Sequence, residues 1–520
     1  MKKEIKQRNY SLYIGIIIGL VIGIAGLYFI SKYLYMNDAY WHIKTGEWVS
    51  QKGIIDKCYG SWVLEEDSWI AHEWLFGWIL YQISKSGMNN IVRFFDFLFL
   101  IVEFLCLYQG GILKKNERPT MFYWEVVLVL QFSIYALQMT ARPQYITTIF
   151  IALFILILNN SKKNNYKSLY FLPLITIVWT NIHGGTAVLS YLILFIYFIC
   201  NIFDGNIGKI YFQKASIKWI IHCCIVLFLT IISIMINPYG YQMLLYPYQN
   251  MQDKLMLSLI AEWASPDAKN ITTLIFQIIP VLLGLVALIQ CPQKIKAYDV
   301  ALFFFFIILY LRSKRFYPFL IITQTCLITP YAFSFRELFK FNKKEMTLWQ
   351  RNINNLCIVL LGIFCLGYII ISCATANFDK IEKNKEIPDQ LLNQIIQDQP
   401  QKLCNSYGIG GYLLFHNIDV FVDGRYEPYN QKGVINDYVT LMHTKDINDY
   451  YKIDGIIQKY NFDSFLISPE NFSLVIYLEN RPNKYELCYK DEKWLYYKIK
   501  VVDIEDKIIK MKYTSNNKYY

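Results

Sequence analysis

The chain has 520 residues, 55% hydrophobic and 17% aromatic, and only 18% are charged, against about a quarter in a soluble globular protein. That balance excludes a disordered or fibrous chain, and the long apolar runs point to a polytopic membrane protein. The net charge of +11 does not indicate nucleic acid, because the basic residues sit in short clusters between apolar runs, as positive-inside orientation produces.

The first apolar run, 10–35, follows Lys2, Lys3, Lys6 and Arg8 and lacks a small-residue cleavage site, so it reads as an uncleaved anchor with a cytoplasmic N-terminus. An outer loop, 36–90, follows. Further spans are predicted at 91–113, 121–139, 145–158, 169–180, 187–203, 219–236, 274–290, 298–311, 316–335 and 353–375, about eleven helices in all. The lysines agree with that count. Every predicted inner loop is basic, with Lys114, Lys115 and Arg118; Lys162, Lys163 and Lys167; Lys209, Lys214 and Lys218; Lys294 and Lys296; and Arg336 to Arg351. Outer loops are mixed or acidic, except at Arg312 and Arg315.

Residues 1–376 are thus expected to form the transmembrane domain. From 377 to 520 a helical stretch (388–397), a Gly-rich turn (405–411) and short apolar runs at 420–422 and 465–467 alternate with polar segments. That pattern predicts a small extracytoplasmic α/β domain, with 420–422 as a buried strand and a lysine-rich tail from Asp503. The twelve cysteines form no CxxC pair and lie mostly in apolar runs, which argues for core residues over a disulfide framework.

The chemically notable residues concentrate at the outer ends of the spans. Asp38 and His42 lie one helical turn apart in the first outer loop, and His72-Glu73 comes later in the same loop. Asp38 suits a general base toward an acceptor hydroxyl, or a metal ligand. His72 and Glu73 supply a second acid/base pair, or alternatively cap the helix that starts there. No established metal-ligand spacing such as HExxH occurs, so no cofactor is assigned and a divalent ion is left open.

Arg142, Gln144, Asn181, His183, Asn237, Glu262, Arg312 and Arg315 reach the same boundary from other spans. Polar groups at that depth line a hydrated cavity or snorkel to the interface. The arginines suit a phosphate, either of a polyprenyl carrier or of ordinary anionic lipid. In the C-terminal domain Asp423-Gly424-Arg425 follows an apolar run, where either a ligand-facing loop or a structural turn is expected.

The stretches 37–46 and 69–75, then Arg142-Pro-Gln144, Asn181-Ile-His-Gly-Gly185, Asn237-Pro-Tyr-Gly240, Glu262-Trp263, Gly410-Gly-Tyr-Leu413 and Val422-Asp-Gly-Arg425, resemble bacterial polytopic proteins with a glycosyltransferase C-type (GT-C) fold. The resemblance implies a membrane glycosyltransferase related to protein mannosyltransferases and lipid A aminoarabinose transferases. Such enzymes take a sugar from a polyprenyl-phosphate carrier and use an acid in the first outer loop, a role that falls on Asp38. Many relatives have two neighbouring acids there. Here Ala39 and Tyr40 follow, and Glu73 is the nearest substitute.

The expected activity is therefore sugar transfer to an extracytoplasmic glycan, lipid or protein at the cell membrane. Asp38, His42, His72 and Glu73 are the catalytic candidates. Arg142, Gln144, Asn181, His183, Asn237, Glu262, Arg312, Arg315, Asp423 and Arg425 are the binding candidates. The rival readings are a ligase or polymerase fed by undecaprenyl-diphosphate oligosaccharide, and a surface-glycan transporter or scaffold.

Overall fold

The structure is a computed structural model that describes residues 19–30, 34, 36–64, 67–110, 131–132, 135, 140–161, 166–250, 261–334, 386–444 and 450–500. The expected span at 353–375, almost all of that at 121–139 and the tail from Asp503 lie outside the described residues. So do the basic residues of the N-terminus and of the loops at 114–118, 162–163 and 336–351. The chain divides into two compact units. One is drawn from Met1–Met36, Thr45–Ile54 and Ala71–Lys383, the other from Asn37–Lys44, Ile55–Ile70 and Asn384–Tyr520.

The first unit is helical. Three helices among the described residues are long and apolar enough to cross a membrane, Gly184–Ile202, Ile217–Ile234 and Ile271–Gln290. They coincide with the spans expected at 187–203, 219–236 and 274–290. The Ile217–Ile234 helix exposes Ile221, Ile225, Phe228 and Ile232, which recur at i, i+4, i+7 and i+11 and so form one apolar stripe. A stripe of that kind on so apolar a helix faces lipid, and the chain is a membrane protein. Shorter helices Gln144–Asn160, Phe171–Ile182 and Ala297–Arg312 pack beside these, with Asn89–Gln109 and Trp74–Ser84.

The span expected at 316–335 is not a uniform α-helix. It runs as Lys314–Phe316 (3-10), Tyr317–Thr323 (α), Gln324–Ile328 (π) and Thr329–Ser334 (3-10). Pro330 cannot donate to the helical ladder. Before it, Gln324 sends Nε2 to the Pro280 carbonyl at 2.8 Å and accepts from Gln131 at 3.0 Å, so the widened turn keeps its buried amide satisfied.

The basic loop after Ile202 holds a hairpin, β1 (Gly205–Ile207) and β2 (Ile210–Phe212), with β3 (Ile295–Lys296) parallel to β2. Gly208, at φ +59°, makes its tight turn.

The second unit carries a four-stranded sheet in the order β4-β5-β7-β6, with β4 at Leu403–Asn405, β5 at Ser464–Ile467, β6 at Tyr485–Lys490 and β7 at Leu495–Ile499. β5 is buried at every position between β4 (parallel) and β7 (antiparallel), which is why it reads as a continuous apolar run. The helix Asp389–Asp398 buries Leu391, Leu392 and Ile395.

Residues 420–422, expected as a strand, are buried without forming one. Val420 makes an isolated bridge to Ser61, while the Asn405 side chain accepts from Phe421 N at 2.8 Å and donates to Val422 O at 2.8 Å. One amide side chain thus stands in for a strand partner. Gly410 packs so closely on this segment that a Cβ there would lie 2.2 Å from the Val422 carbonyl oxygen.

Candidate functional site

In the second unit, Asp38 lies in the first turn of the Asn37–Lys52 helix, partly exposed, and its Oδ1 accepts from Trp41 Nε1 at 3.4 Å. His42, one turn on, is 1% exposed, and its ring lies 3.6 Å from that of Trp41. The backbone of Gly424 closes on this turn: a Cβ there would be 2.6 Å from Trp41 Nε1 and 3.0 Å from Asp38 Oδ1. The Asn37–Lys52 helix and the Asp-Gly-Arg loop, distant in sequence, therefore meet at Asp38.

Asp423 and Arg425 flank that glycine and are fully buried against each other. Arg425 Nε reaches both carboxylate oxygens, at 2.9 and 3.1 Å, and Nη2 reaches Oδ2 at 2.6 Å. Tyr429 donates to Oδ2 at 2.6 Å, Arg425 Nη1 donates to the Tyr59 carbonyl at 2.9 Å, and the guanidinium lies over Trp69 at 5.1 Å. Burial disfavours the guanidinium charge, but the adjacent Asp423 carboxylate holds its pKa well above the ordinary value. The same burial pushes the Cys58 thiol up to about 11, with Arg425 pulling the other way. The pair fastens 55–70 to the loop that carries Gly424.

The first unit gathers a second cluster. The His183 ring Nδ1 sits between the hydroxyls of Thr147 (2.7 Å) and Thr186 (2.9 Å), and Nε2 lies 3.5 Å from Glu73 Oε1. His72 Nε2 lies 3.4 Å from the same oxygen. Trp179 Nε1 donates to Thr186 Oγ1 at 3.0 Å, which fixes that hydroxyl. A carboxylate facing Nε2 and hydroxyls facing Nδ1 favour the tautomer with its proton on Nε2. Gly184 lets the chain pass, since a Cβ there would be 3.1 Å from the His72 carbonyl oxygen. Thr147, Thr186 and Trp179 carried no motif signal in the sequence, because buried Thr and Trp residues are ordinary in spans.

The remaining candidates divide between scaffold and surface. Asn181 accepts from Trp74 at 3.0 Å and donates to the carbonyls of Ile177 and Ile236, which uses its whole amide. Asn237 closes its own turn through Tyr239 N and the carbonyls of Ile234 and Gly240. Gln144 begins its helix 8% exposed. Arg142 is ion-paired with Glu262. Arg315 stacks on Trp263 at 4.9 Å, and Ser313 ties this segment to the Glu262 carbonyl. Arg312, at a helix C-terminus, is exposed. No group of three His, Cys, Asp or Glu placed to hold a metal occurs among the described residues.

No family model matches the sequence, and no curated protein is significantly similar to it. Similar folds do exist among solved structures. The Archaeoglobus fulgidus oligosaccharyltransferase in its apo form is 9% identical, with 93% of this chain and 74% of that one covered at a TM-score of 0.49. The same enzyme tethered by a disulfide bond to an acceptor peptide containing the NVT sequon is 10% identical, covering 94% and 74%, at 0.51. At such identity the likeness is one of fold, and the latter match gives this chain an oligosaccharyltransferase-like, GT-C-type architecture.

Proposed function

We propose that the chain is a membrane glycosyltransferase that moves a sugar from a polyprenyl-phosphate carrier to an acceptor at the outer face of a bacterial cell membrane. The observation that carries the reading is Asp38. It is a partly exposed carboxylate in the first turn of the helix that follows the first apolar segment, oriented by Trp41 and closely approached by Gly424. The oligosaccharyltransferase-like fold supports it. In this reading the N-terminus is cytoplasmic, and the unit bearing Asp38 and residues 384–520 is extracytoplasmic.

The acceptor oxygen attacks the anomeric carbon as the bond from that carbon to the carrier phosphate breaks, which inverts the configuration. Asp38 takes the acceptor proton, and the electron pair leaves with the phosphate. Arg312 and Arg315 suit the leaving phosphate, while Glu262 already balances Arg142. His42, His72 and His183 orient substrate or assist departure, with Glu73 facing the imidazoles of His72 and His183. Asp423 and Arg425 hold the loop against Asp38.

Membrane vesicles containing the full chain test this directly. They are given a polyprenyl-monophosphate monosaccharide in one arm and a polyprenyl-diphosphate oligosaccharide in the other, the second because the fold neighbour is an oligosaccharyltransferase. Asp38→Asn is expected to lose transfer by on the order of 10²–10⁴-fold with the active donor. Full transfer by that variant would falsify the assignment.

A further inference from the structure

Four helices of the first unit have one end at the His183–Glu262 region and the other at a separate cavity. Gln144–Asn160 supplies Thr147 at the first end, and Leu189–Ile202 follows Thr186 there. Ile217–Ile234 ends where Thr180 donates to the Ile234 carbonyl, and Ala297–Arg312 ends beside Ser313, bonded to the Glu262 carbonyl. At their opposite ends, Asn159, Cys200, Trp219 and Tyr298 line a cavity of about 160 Å³. Helices of 14 to 18 residues put it ~20–27 Å from the His183 cluster, close to the ~30 Å of a hydrocarbon core.

The cavity is built for an anion. Lys214 and Lys296 line it, and neither is in an ion pair among the described residues. Ala297–Arg312 presents its first turn to the cavity through Ala297 and Tyr298. Ile217–Ile234 starts alongside, under the Ser216 cap, so two helix N-termini border the cavity, the Ala297–Arg312 one also carrying Asp299 in its first turn.

The independent sign of a ligand is the Tyr298 hydroxyl. The Tyr298 side chain is only 3% exposed and lines the cavity, and its buried hydroxyl has no hydrogen-bond partner among the described residues. Such a group costs free energy unless something enters to complete it. Its neighbours are already engaged: Tyr197 donates to the Leu158 carbonyl at 2.7 Å, and Trp219 donates to the Ser161 carbonyl at 3.1 Å. Asp299, the nearest carboxylate in sequence, does not line the cavity and accepts from Tyr331 at 2.6 Å.

We propose that this cavity binds a phosphate-bearing anion, with the two lysines and both helix ends taking the charge and Tyr298 donating to a phosphate oxygen. Its place at the far ends of apolar helices fits the head group of an anionic phospholipid, and a soluble phosphate ester shares the same chemistry.

Thermal unfolding of the full chain in detergent micelles, followed by tryptophan fluorescence, tests the site with added phosphatidylglycerol, phosphatidylcholine or glycerol phosphate. Phosphatidylglycerol should raise the midpoint saturably and phosphatidylcholine should not. Lys214→Gln with Lys296→Gln should weaken that response by roughly fivefold per lysine. Tyr298→Phe, which keeps the ring, should weaken it several-fold without lowering the unliganded midpoint. Glycerol phosphate acting as strongly as the lipid would identify a soluble ester as the occupant of the same site. Equal responses to the two lipids would overturn the proposal, and so would wild-type phosphatidylglycerol affinity in either the double-lysine variant or Tyr298→Phe.

Discussion

Replacing Arg425 by Met keeps side-chain volume but removes the cation from a site where both partners are fully buried. Three contacts to the Asp423 carboxylate disappear, together with the bond to the Tyr59 carbonyl and the stacking on Trp69. A buried carboxylate left alone escapes by taking a proton. From the ordinary aspartate range that costs about 4 kcal/mol at pH 7 and about 1.5 kcal/mol at pH 5. The orphaned carbonyl adds roughly 1 kcal/mol at either pH. The expected loss is therefore about 5 kcal/mol at neutral pH, in line with broken buried pairs elsewhere, and about half that at pH 5.

The sign follows from proton counting. Above about pH 4 the variant's folded state holds a proton that its unfolded state has released, so its stability falls as pH rises. Pulse proteolysis of the full chain in detergent through a urea series reads this as survival of the C-terminal unit. With a slope of about 2 kcal/mol per molar, the midpoint should fall by roughly 2.5 M at pH 7 and about half as much at pH 5. Adding Asp423→Asn to the variant removes the charge and should abolish the pH dependence while keeping an acceptor for Tyr429. A shift below about 0.5 M, or one equal at both pH values, would refute the argument that an uncompensated buried charge dominates.

Asn405→Ala should destabilise the same unit by about 2–4 kcal/mol, measured in the same urea series, because it strands the Phe421 N–H and the Val422 carbonyl together. Gly410→Ala should cost more than Gly184→Ala in thermal unfolding. The first Cβ meets backbone at 2.2 Å, whereas the second chiefly meets the flexible end of Met243. Cys58, its thiol pushed up to about 11 by burial, should resist maleimide at pH 8 until the unit unfolds, and mass spectrometry after brief labelling checks this. Gly424→Ala should cut sugar transfer in vesicles, since its Cβ meets Trp41 and Asp38 and must displace them.

Much of the helical unit was legible because a long apolar run has few alternatives in a membrane protein. The runs at 187–203, 219–236 and 274–290 each became one helix of nearly the same extent. Pitch was not legible: nothing local to Gln324 announces a π-turn, since its amide is satisfied by Pro280 and Gln131 from other elements. The strand expected at 420–422 failed for a related reason. Val-Phe-Val has the propensity, but a strand also needs a neighbour with free backbone groups, and here the Asn405 side chain supplies them instead. That Trp62 should donate to the Leu403 carbonyl, 341 residues away, has no local cue at all.

Among the candidate polar residues, sequence position located the groups but could not say which still have hydrogen-bonding capacity to offer a substrate. The amides of Asn181 and Asn237 are spent on backbone carbonyls and a turn, and the Asp423 carboxylate is spent on Arg425 and Tyr429. A motif built of such residues marks where the chain must fold tightly. A group that recognises a ligand needs the opposite property, exposure together with a fixed direction. Asp38 has both, being partly exposed yet aimed by Trp41, and Arg315 has both, being partly exposed yet stacked on Trp263. Saturated residues close to those two act by holding them: Gly424, between Asp423 and Arg425, closes on Asp38, and Ser313, bonded to the Glu262 carbonyl, accepts from Arg315 N at 3.3 Å. On the proposed reading the chemistry falls to few side chains, and most of the recognisable sequence pattern around them is the structure that aims them.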